Sequence, residues 1–362
     1  MNFGLSEEQE LLKSTIKRFL AEQCPTTRVR QVMESDTGHD AQLWQGLVDL
    51  GVPGLNVPAD FGGSGLELLD LALAAEELGY AATPGPFLAN ALATVALIEG
   101  GDDSLRAQWL PRLASGEAIG TVALGEADDQ WAPDTYTTAA VAGKLTGTKP
   151  MVPSARVADV LIVAAVDSSG PGLWLVDGGA PGIEMRGLKV VDMTRPLDLV
   201  VFEDTPAIKL EGDSKALQRV IDAGCVLIAA DAFGGARRCM EMAAAYAQQR
   251  EQFGQVIGAF QAVKHQLANM ATELEPAMSL YWYAAHAFDR MRDKSERHAA
   301  MAKALLSDVY DRLARDSTEL HGGIGFTWEF DLHLWFRRSI FDRSFLGEAA
   351  YHRTRAAELA GW

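Results

Sequence analysis

The chain has 362 residues, a formal net charge of −17 and an apolar fraction of 48%. A surface this acidic argues against binding to nucleic acid or to a lipid surface, because such partners reward clustered lysine and arginine. The apolar fraction is enough for a large core and excludes a disordered chain, and the length predicts two or three packed domains.

The first third of the sequence has helical periodicity. Ser6 followed by Gln9 forms a capping box, which predicts a helix that starts near Glu7. Gly51 and Gly79 stand where C-terminal helix caps are expected. Further helices are predicted at about 41–50, 66–78, 87–98 and 104–114.

The composition changes near residue 117. From there to about 206 the chain is rich in Val, Thr, Gly and Pro, and short apolar runs at 160–166, 173–176 and 199–202 predict a small antiparallel β domain. After residue 213 the pattern is helical again. Long helices are predicted at about 215–250, at 260–291 with a kink at Pro276, and at 297–320.

The predicted fold is therefore mostly α with a central β domain. We expect an N-terminal helical domain at 1–116, a middle antiparallel β domain at 117–208 and a C-terminal four-helix bundle at 209–362.

The cysteines and the short apolar runs indicate where in the cell the protein is expected. Cys24, Cys225 and Cys239 are scattered thiols without C-x-x-C spacing, so they predict neither a disulfide framework nor a metal site. Segment 1–10 is polar and acidic, unlike a secretory signal, and no apolar run approaches the roughly 18–20 residues of a membrane span. We expect a cytoplasmic protein without a metal.

Three segments have residue patterns that are informative about function as well as about helix or loop structure. The first runs from Val57 to Leu66 and is followed by Ala-Glu-Glu-Leu-Gly at 75–79. The second is Gln-Arg-Glu-Gln-Phe-Gly at 249–254, with Phe-Gln at 260–261, and the third is Leu-His-Gly-Gly-Ile-Gly-Phe-Thr at 320–327. Each alone has a structural explanation, as a loop, a helix C-terminus with a favourable arginine, or a glycine helix stop.

Together, in this order, the three segments resemble the acyl-CoA dehydrogenase family of flavoenzymes over nearly the whole length. The resemblance implies an FAD cofactor and a tetramer built by the C-terminal helices. It also implies that Arg250 pairs with the pyrophosphate of a neighbouring subunit's flavin and that Phe253 lies beside the adenine end. The cofactor-binding residues implied in this way are Arg250, Gln252, Phe253, Gln261, Gly322 and Gly323.

The reaction implied is α,β-dehydrogenation of an acyl-CoA thioester, in which a carboxylate removes the α-proton and the flavin accepts a hydride. The commonest family position of that carboxylate is occupied here by Leu346, and the alternative position by Gly224 or Cys225. The catalytic residue is therefore unknown. Glu348 is a weak candidate two positions further on, and Asp222 is expected to face away, since two helical residues rotate by about 200°.

The predicted β domain also departs from the family. Residues 123–129 are Ala-Leu-Gly-Glu-Ala-Asp-Asp where the family has Thr-Glu-Pro-x-x-Gly-Ser-Asp. The flavin-ring segment is Lys-Pro-Met-Val-Pro-Ser at 149–154, whose two prolines remove backbone donors. Only the half of the site that holds the ADP moiety matches the family.

The resemblance therefore implies one subunit of a heteromeric α₂β₂ acyl-CoA dehydrogenase, with the base and flavin-ring site supplied by the partner. Segment 325–333 is similar to bacterial acyl-CoA dehydrogenases of steroid side-chain degradation, which implies a steroid side-chain CoA ester as substrate. Two alternatives stay open: a self-sufficient homotetrameric dehydrogenase or oxidase that uses Glu348 or another acid as its base, and a structural subunit without flavin.

Other conspicuous side chains are expected to be structural. These are His265, His321 and His333, for which no carboxylate partner can be placed, and the aromatic run at 281–283, which is expected in the core of the bundle.

Overall fold

The computed structural model describes residues 4–362, so the first three residues of the acidic segment 1–10 lie outside it. The described chain contains eleven α-helices and ten β-strands and confirms the mostly helical fold with a central sheet. The helices are α1 (Glu7–Gln23), α2 (Thr26–Met33), α3 (Ala41–Asp49), α4 (Leu68–Tyr80), α5 (Phe87–Gly100), α6 (Asp103–Ala114), α7 (Asp213–Gln249), α8 (Gln261–Arg290), α9 (Arg292–His321), α10 (Leu332–Ser344) and α11 (Ala349–Glu358). The strands are β1 (Gly120–Ala123), β2 (Ala139–Val141), β3 (Lys144–Pro153), β4 (Val160–Asp167), β5 (Gly170–Asp177), β6 (Ile183–Gly187), β7 (Leu197–Pro206), β8 (Ile208–Lys209), β9 (Glu251–Gln252) and β10 (Gln255–Val256).

The predicted caps of the N-terminal helices are confirmed with one exception. The Gln9 amide donates to Ser6 Oγ at 3.2 Å, and the Ser6 amide donates to Gln9 Oε1 at 3.1 Å. Gly51 follows α3 in the left-handed conformation at φ +75°. Gly79 does not end α4, because the helix continues to Tyr80. Its missing side chain instead allows α4 to cross α7, since a Cβ there would overlap the carbonyl oxygen of Asp231.

The central sheet has eight strands in the order β6-β7-β3-β2-β4-β5-β8, with β1 pairing with β4. Most neighbours are antiparallel, as predicted, but β4 pairs in parallel with both β1 and β2. A wholly antiparallel domain is therefore wrong in this detail. The pairing cannot be inferred from short apolar runs, since their residue pattern does not record strand direction.

Alternation along the strands explains how the sheet joins the helices. On β4, Val160 and Ile162 belong to the large core shared with the helices, whereas Leu161 and Val163 belong to a second core within the sheet. A period of two sends successive side chains to opposite faces. One face of the sheet is thereby packed against the helices.

Three long helices dominate the C-terminal region, close to the predicted ranges. α8 runs through Pro276 as one helix, and shorter helices α10 and α11 pack against α9. Two contacts show that α7 and α9 run in the same direction. Gly235 packs on Tyr310, and further along both helices Tyr246 stacks on His321. The C-termini of both helices consequently lie at one end of the bundle.

The aromatic run 281–283 is in the core only in part. Tyr281 is fully buried and its hydroxyl donates to Glu76 at 2.5 Å, while Trp282 is partly buried. Tyr283 is 36% exposed and packs on His298, so its assignment to the core is wrong. Neighbouring helix positions differ by about 100°, so three consecutive side chains cannot all face inward.

Candidate functional site

A hairpin follows the first long helix and presents two of the predicted cofactor residues. α7 ends at Gln249, and Arg250 leaves the helix with φ −75° and ψ 123°. Strands β9 and β10 then pair around Phe253 and Gly254, whose φ angles of +51° and +81° suit a type I′ turn. Phe253 is 92% exposed at the tip.

The polar side chains around this hairpin have few partners within the chain. Arg250 is exposed, and no side-chain or backbone acceptor within residues 4–362 binds its guanidinium. Gln252 is exposed and donates only to the neighbouring carbonyl of Glu251, at 2.8 Å. Gln261, the first residue of α8, is also exposed. These groups are free to bind a ligand that this chain does not supply.

The glycine pair at the end of α9 lies at the same end of the bundle. Gly322 has φ +62° and ψ −142°, a conformation that is essentially restricted to glycine. A Cβ added at Gly322 or Gly323 would meet no atom of the chain within 4 Å. Both glycines therefore expose backbone on the outside of the molecule.

Aromatic contacts connect these parts into one site. The ring of Tyr246 stacks on His321 at 4.3 Å, beside Gly322, and Phe253 packs edge-on against Phe260 at 6.2 Å, beside Gln261. The six predicted cofactor residues thus lie around the ends of α7 and α9 and the start of α8. We call this surface the bundle end.

The predicted structural histidines differ in environment. His321 is buried, its Nδ1 lies 2.7 Å from the carbonyl of Ser317, and desolvation lowers its pKa. His333 lies 3.2 Å from the carbonyl of Trp328 and stacks on that indole. Within residues 4–362, neither histidine has a carboxylate as hydrogen-bond partner. His265 is exposed on α8.

The two sequence positions where the family carries its base adjoin each other in space. Leu346 is 2% exposed with φ +63°, and its Cδ1 occupies the volume where a Cβ of Gly224 would lie. Neighbouring Cys225 is fully buried, and desolvation raises its pKa to about 11. Neither the leucine nor the glycine at these two positions can accept a proton.

The two acids nearest in sequence are not directed to this point. Glu348 is exposed at the start of α11. Asp222 is buried and accepts from Arg355 at 2.6 Å, so its carboxylate is held in an ion pair. Burial raises the pKa of Asp222 to about 6, although the Arg355 guanidinium opposes this shift.

Two buried side chains that the sequence did not single out hold the loop 345–348. Lys303 donates to the carbonyls of Asp342 at 2.7 Å and Gly347 at 3.0 Å, and desolvation lowers its pKa to about 8. The Nε2–H of His352 donates to the carbonyl of Leu346 at 2.9 Å, and desolvation lowers the pKa of this imidazole to about 3. A lysine and a histidine on amphipathic helices carry no sequence signal for such burial.

Aromatic side chains fill the space beside Leu346. Phe345 packs edge-on against Trp131 at 5.1 Å and stacks on Phe341 at 4.9 Å. Trp131 follows the altered segment 123–129, and it is only 8% exposed. The segment that follows 123–129 and the loop 345–348 therefore pack against each other in the core.

The neighbouring sheet contains a buried ion pair and a β-bulge. Glu126 accepts from Lys149 at 2.7 Å, both being buried, and desolvation lowers the pKa of Lys149 to about 8. Directly after Lys149, the register of β3 against β7 shifts across Pro150 and Met151. Met151 has φ +56°, so the proline is accommodated by a β-bulge.

Within residues 4–362 no group of three or more His, Cys, Asp or Glu side chains could hold a metal ion. Among the same residues, no helix is both long and apolar enough to cross a membrane.

Comparison with known proteins identifies what the chain is similar to. The family model described as acyl-CoA dehydrogenase, N-terminal domain, matches residues 6–117, and the model of the C-terminal domain matches residues 214–360. The chain is 33% identical over 344 residues to acyl-CoA dehydrogenase IpdE2 of Mycolicibacterium smegmatis, which covers 95% of this chain and 96% of that protein.

Two solved structures extend the similarity to the whole fold. A variant of the steroid acyl-CoA dehydrogenase Tcur3481-Tcur3483 superposes with a TM-score of 0.92 at 31% identity, covering 98% of each chain. The ChsE4-ChsE5 complex from Mycobacterium tuberculosis superposes with a TM-score of 0.90 at 25% identity, covering 100% of this chain and 99% of the other.

Proposed function

Because the chain belongs to the acyl-CoA dehydrogenase family of flavin-dependent oxidoreductases, we propose that it is one subunit of a heteromeric member of that family. In this assembly the chain holds the ADP moiety of an FAD whose ring and catalytic base belong to a partner subunit of the same fold. The bound FAD supplies the hydride acceptor for oxidation of the Cα–Cβ bond of an acyl-CoA thioester.

The observation that carries the proposal is the contact between Leu346 and Gly224. Both family positions for the base meet there, and neither side chain can take a proton. A general base typically contributes about 10²–10⁴-fold, so a site without one is not an efficient dehydrogenase. The packing of Trp131 on Phe345 beside it does not fit a flavin ring in this chain's own site.

The bundle end fits the other half of the cofactor. Arg250 presents a guanidinium that has no partner among residues 4–362, and a guanidinium fork binds pyrophosphate oxygens bidentately. The exposed ring of Phe253 offers an apolar face, and the open backbone at Gly322 and Gly323 permits close approach of a ligand. In our proposal these residues bind and orient the ADP moiety, and they take no part in proton transfer.

The substrate and location are further parts of the proposal. A steroid side-chain CoA ester is supported by the 31% identity to a protein described as a steroid acyl-CoA dehydrogenase and by the sequence of segment 325–333. The heteromer is supported by similarity to the ChsE4-ChsE5 complex. Three buried, unpaired cysteines are consistent with a reducing cytoplasm.

The experiment that tests the proposal compares flavin content and activity of the chain purified alone and co-purified with an acyl-CoA dehydrogenase-like partner. We expect visible flavin absorbance and turnover only with the partner. A yellow chain that turns over acyl-CoA alone, and loses activity on Glu348→Gln, would instead establish the self-sufficient homotetramer. An intact complex without flavin would establish the structural subunit.

A further inference from the structure

One cavity of the molecule lies away from both the bundle end and Leu346. It has a volume of about 390 Å³ and opens between α1, α4, α7 and α10, within the size range of small-molecule sites. Its walls combine the accessible apolar groups of Ala21, Pro25 and Ala81 with the basic side chains of Lys17 and Arg238. Leu20 and Trp335 also line it but are almost fully buried.

Arg238 is fixed in place by two aromatic rings. Its guanidinium carbon lies 5.4 Å from the ring centre of Tyr80 and 5.3 Å from that of Trp335. The Trp335 indole is itself anchored, because its Nε1–H donates to the carbonyl of Tyr80 at 3.0 Å. A guanidinium has five donors, and the only protein acceptor within residues 4–362 is the Tyr80 hydroxyl at 3.4 Å.

Two acids lie near this cavity, and neither pairs with its basic side chains. Tyr80 donates its hydroxyl proton to Glu241 at 2.5 Å, and burial raises the Tyr80 pKa, so this donor stays protonated. Glu77 lines the cavity; its Oε1 accepts from Arg237 at 3.0 Å, whereas its Oε2 is buried without a hydrogen-bond partner among residues 4–362. Within residues 4–362 no carboxylate oxygen lies within 4.0 Å of the charged atoms of Arg238 or Lys17.

The absence of a counter-ion is informative in a chain with 49 acidic and 32 basic residues. Two basic side chains share one cavity, and the Nζ of Lys17 lies 5.6 Å from the same Tyr80 ring that Arg238 contacts. Positive charge beside apolar walls matches a ligand with an anionic head and an apolar body.

We propose that this cavity is a binding site for a small organic carboxylate, separate from the acyl-CoA and flavin chemistry. The carboxylate binds the fork of Arg238 with Lys17 as a second charge, and the apolar body packs against Ala21, Pro25 and Ala81. Inorganic phosphate shares the anionic head but has no apolar body to bury, so it binds more weakly.

The test is calorimetric titration of the full chain, or of its complex, with 4-phenylbutanoate, its uncharged analogue 4-phenylbutanamide, and inorganic phosphate. We expect binding of one carboxylate per chain, at least about tenfold weaker binding of the amide, and no measurable binding of phosphate. Equal binding of acid and amide, absence of carboxylate binding, or binding of phosphate alone overturns the proposal.

Variants localise the site. Arg238→Gln should weaken 4-phenylbutanoate binding about tenfold or more, and Lys17→Gln, an exposed position on α1, should weaken it by a smaller factor. The matched control is Arg337→Gln, since Arg337 also lies over an indole, that of Trp328 at 4.9 Å, but faces a different cavity. Unchanged affinity in a folded Lys17→Gln, Arg238→Gln double variant refutes the site, and the melting temperature of each variant shows whether it is folded.

Discussion

At the scale of single residues, the environment of Arg250 distinguishes between a flavin-binding role and the simple termination of a helix. An arginine placed only to interact with the helix dipole contributes about 0.3–1 kcal/mol and needs no ligand. Arg250 has already left the helical conformation, is exposed, and has no acceptor within residues 4–362. Its neighbours on the bundle end present the apolar ring and open backbone that a dinucleotide needs.

The first prediction concerns this guanidinium. Arg250→Ala should lower the FAD affinity of the assembled complex about ten- to a hundredfold, because a charge-assisted hydrogen bond contributes roughly 1.5–3 kcal/mol. Arg250→Lys should restore only part, since an ammonium keeps the charge but lacks the planar fork. The measurement is the FAD-to-protein ratio with the oligomeric state checked. Arg18→Ala, an exposed arginine on α1, is the control, and unchanged flavin in Arg250→Ala would remove the proposed role.

The second prediction concerns the contact between Leu346 and Gly224. Gly224→Ala should lower the free energy of unfolding by about 1–3 kcal/mol, because the added methyl overlaps Leu346 Cδ1. Leu346→Ala should create space, so Gly224→Ala in that background should be neutral or stabilising, as alanine favours a helix over glycine. Denaturant unfolding of the four proteins gives the coupling energy. Additive effects would mean that the two residues do not meet.

Sequence and structure agree at the residues whose role depends on local backbone. Gly322 and the Ser6 capping box were predictable, because a glycine-only conformation and a reciprocal cap are local requirements. Lys303, His352 and Arg338 were not. Each is buried by segments far away in the chain, as when Arg338 on α10 binds Asp231 on α7 at 3.3 Å. No local pattern marks such a residue as buried.

At the scale of elements, the connection from α10 to α11 is held by buried hydrogen-bond donors. Lys303 from α9 binds the carbonyls that end α10, and His352 from α11 binds the carbonyl of Leu346. Unpaired carbonyls at a buried helix end are costly, so both donors stabilise the connection. The loop conformation is thereby maintained independently of catalysis.

The third prediction is a pH dependence from His352. Its folded-state pKa is lowered to about 3 from an ordinary 6.5, so below pH 6.5 the unfolded chain binds a proton that the folded chain does not. Stability should therefore fall by about 1.4 kcal/mol per pH unit between these values. His352→Gln keeps a donor for Leu346 and removes the titration, so its acid midpoint should lie at lower pH.

The control for this experiment is the opposite contribution of Asp222. Its pKa is raised to about 6, so acid stabilises the folded state through this group between pH 6 and its ordinary 3.8. Wild type and His352→Gln share Asp222, and its contribution cancels in their difference. Identical acid midpoints in circular dichroism would show that His352 does not titrate as proposed.

The predicted elements succeeded where periodicity and caps were strong. α1 and the three long helices were placed within a few residues, whereas α2, α10 and α11 were not separated. α2 follows Pro25 without a side-chain cap, and α10 starts without one, so neither start has a sequence signal. The parallel pairing of β1 with β4 is set by tertiary packing on α5, which a strand's own residues do not encode.

At the scale of the whole molecule, the two halves of the proposed flavin site differ in accessibility. The bundle end is exposed, and its Arg250 has no partner among residues 4–362, whereas the region around Leu346 is closed by packed side chains. Under the proposed function, in which a flavin lies across a subunit boundary, this chain completes a partner's site and does not use its own. This asymmetry fixes how many flavins the complex can hold.

The last prediction is therefore a stoichiometry. If only the partner subunit offers a ring site and only this chain lends Arg250 to it, the complex should bind one FAD for every two chains. Native mass measurement combined with flavin absorbance gives the ratio directly, and Arg250→Ala should drive it toward zero without dissociating the complex. One FAD per chain would mean that the region around Leu346 opens to accept a flavin, and the division of labour between the subunits would then be wrong.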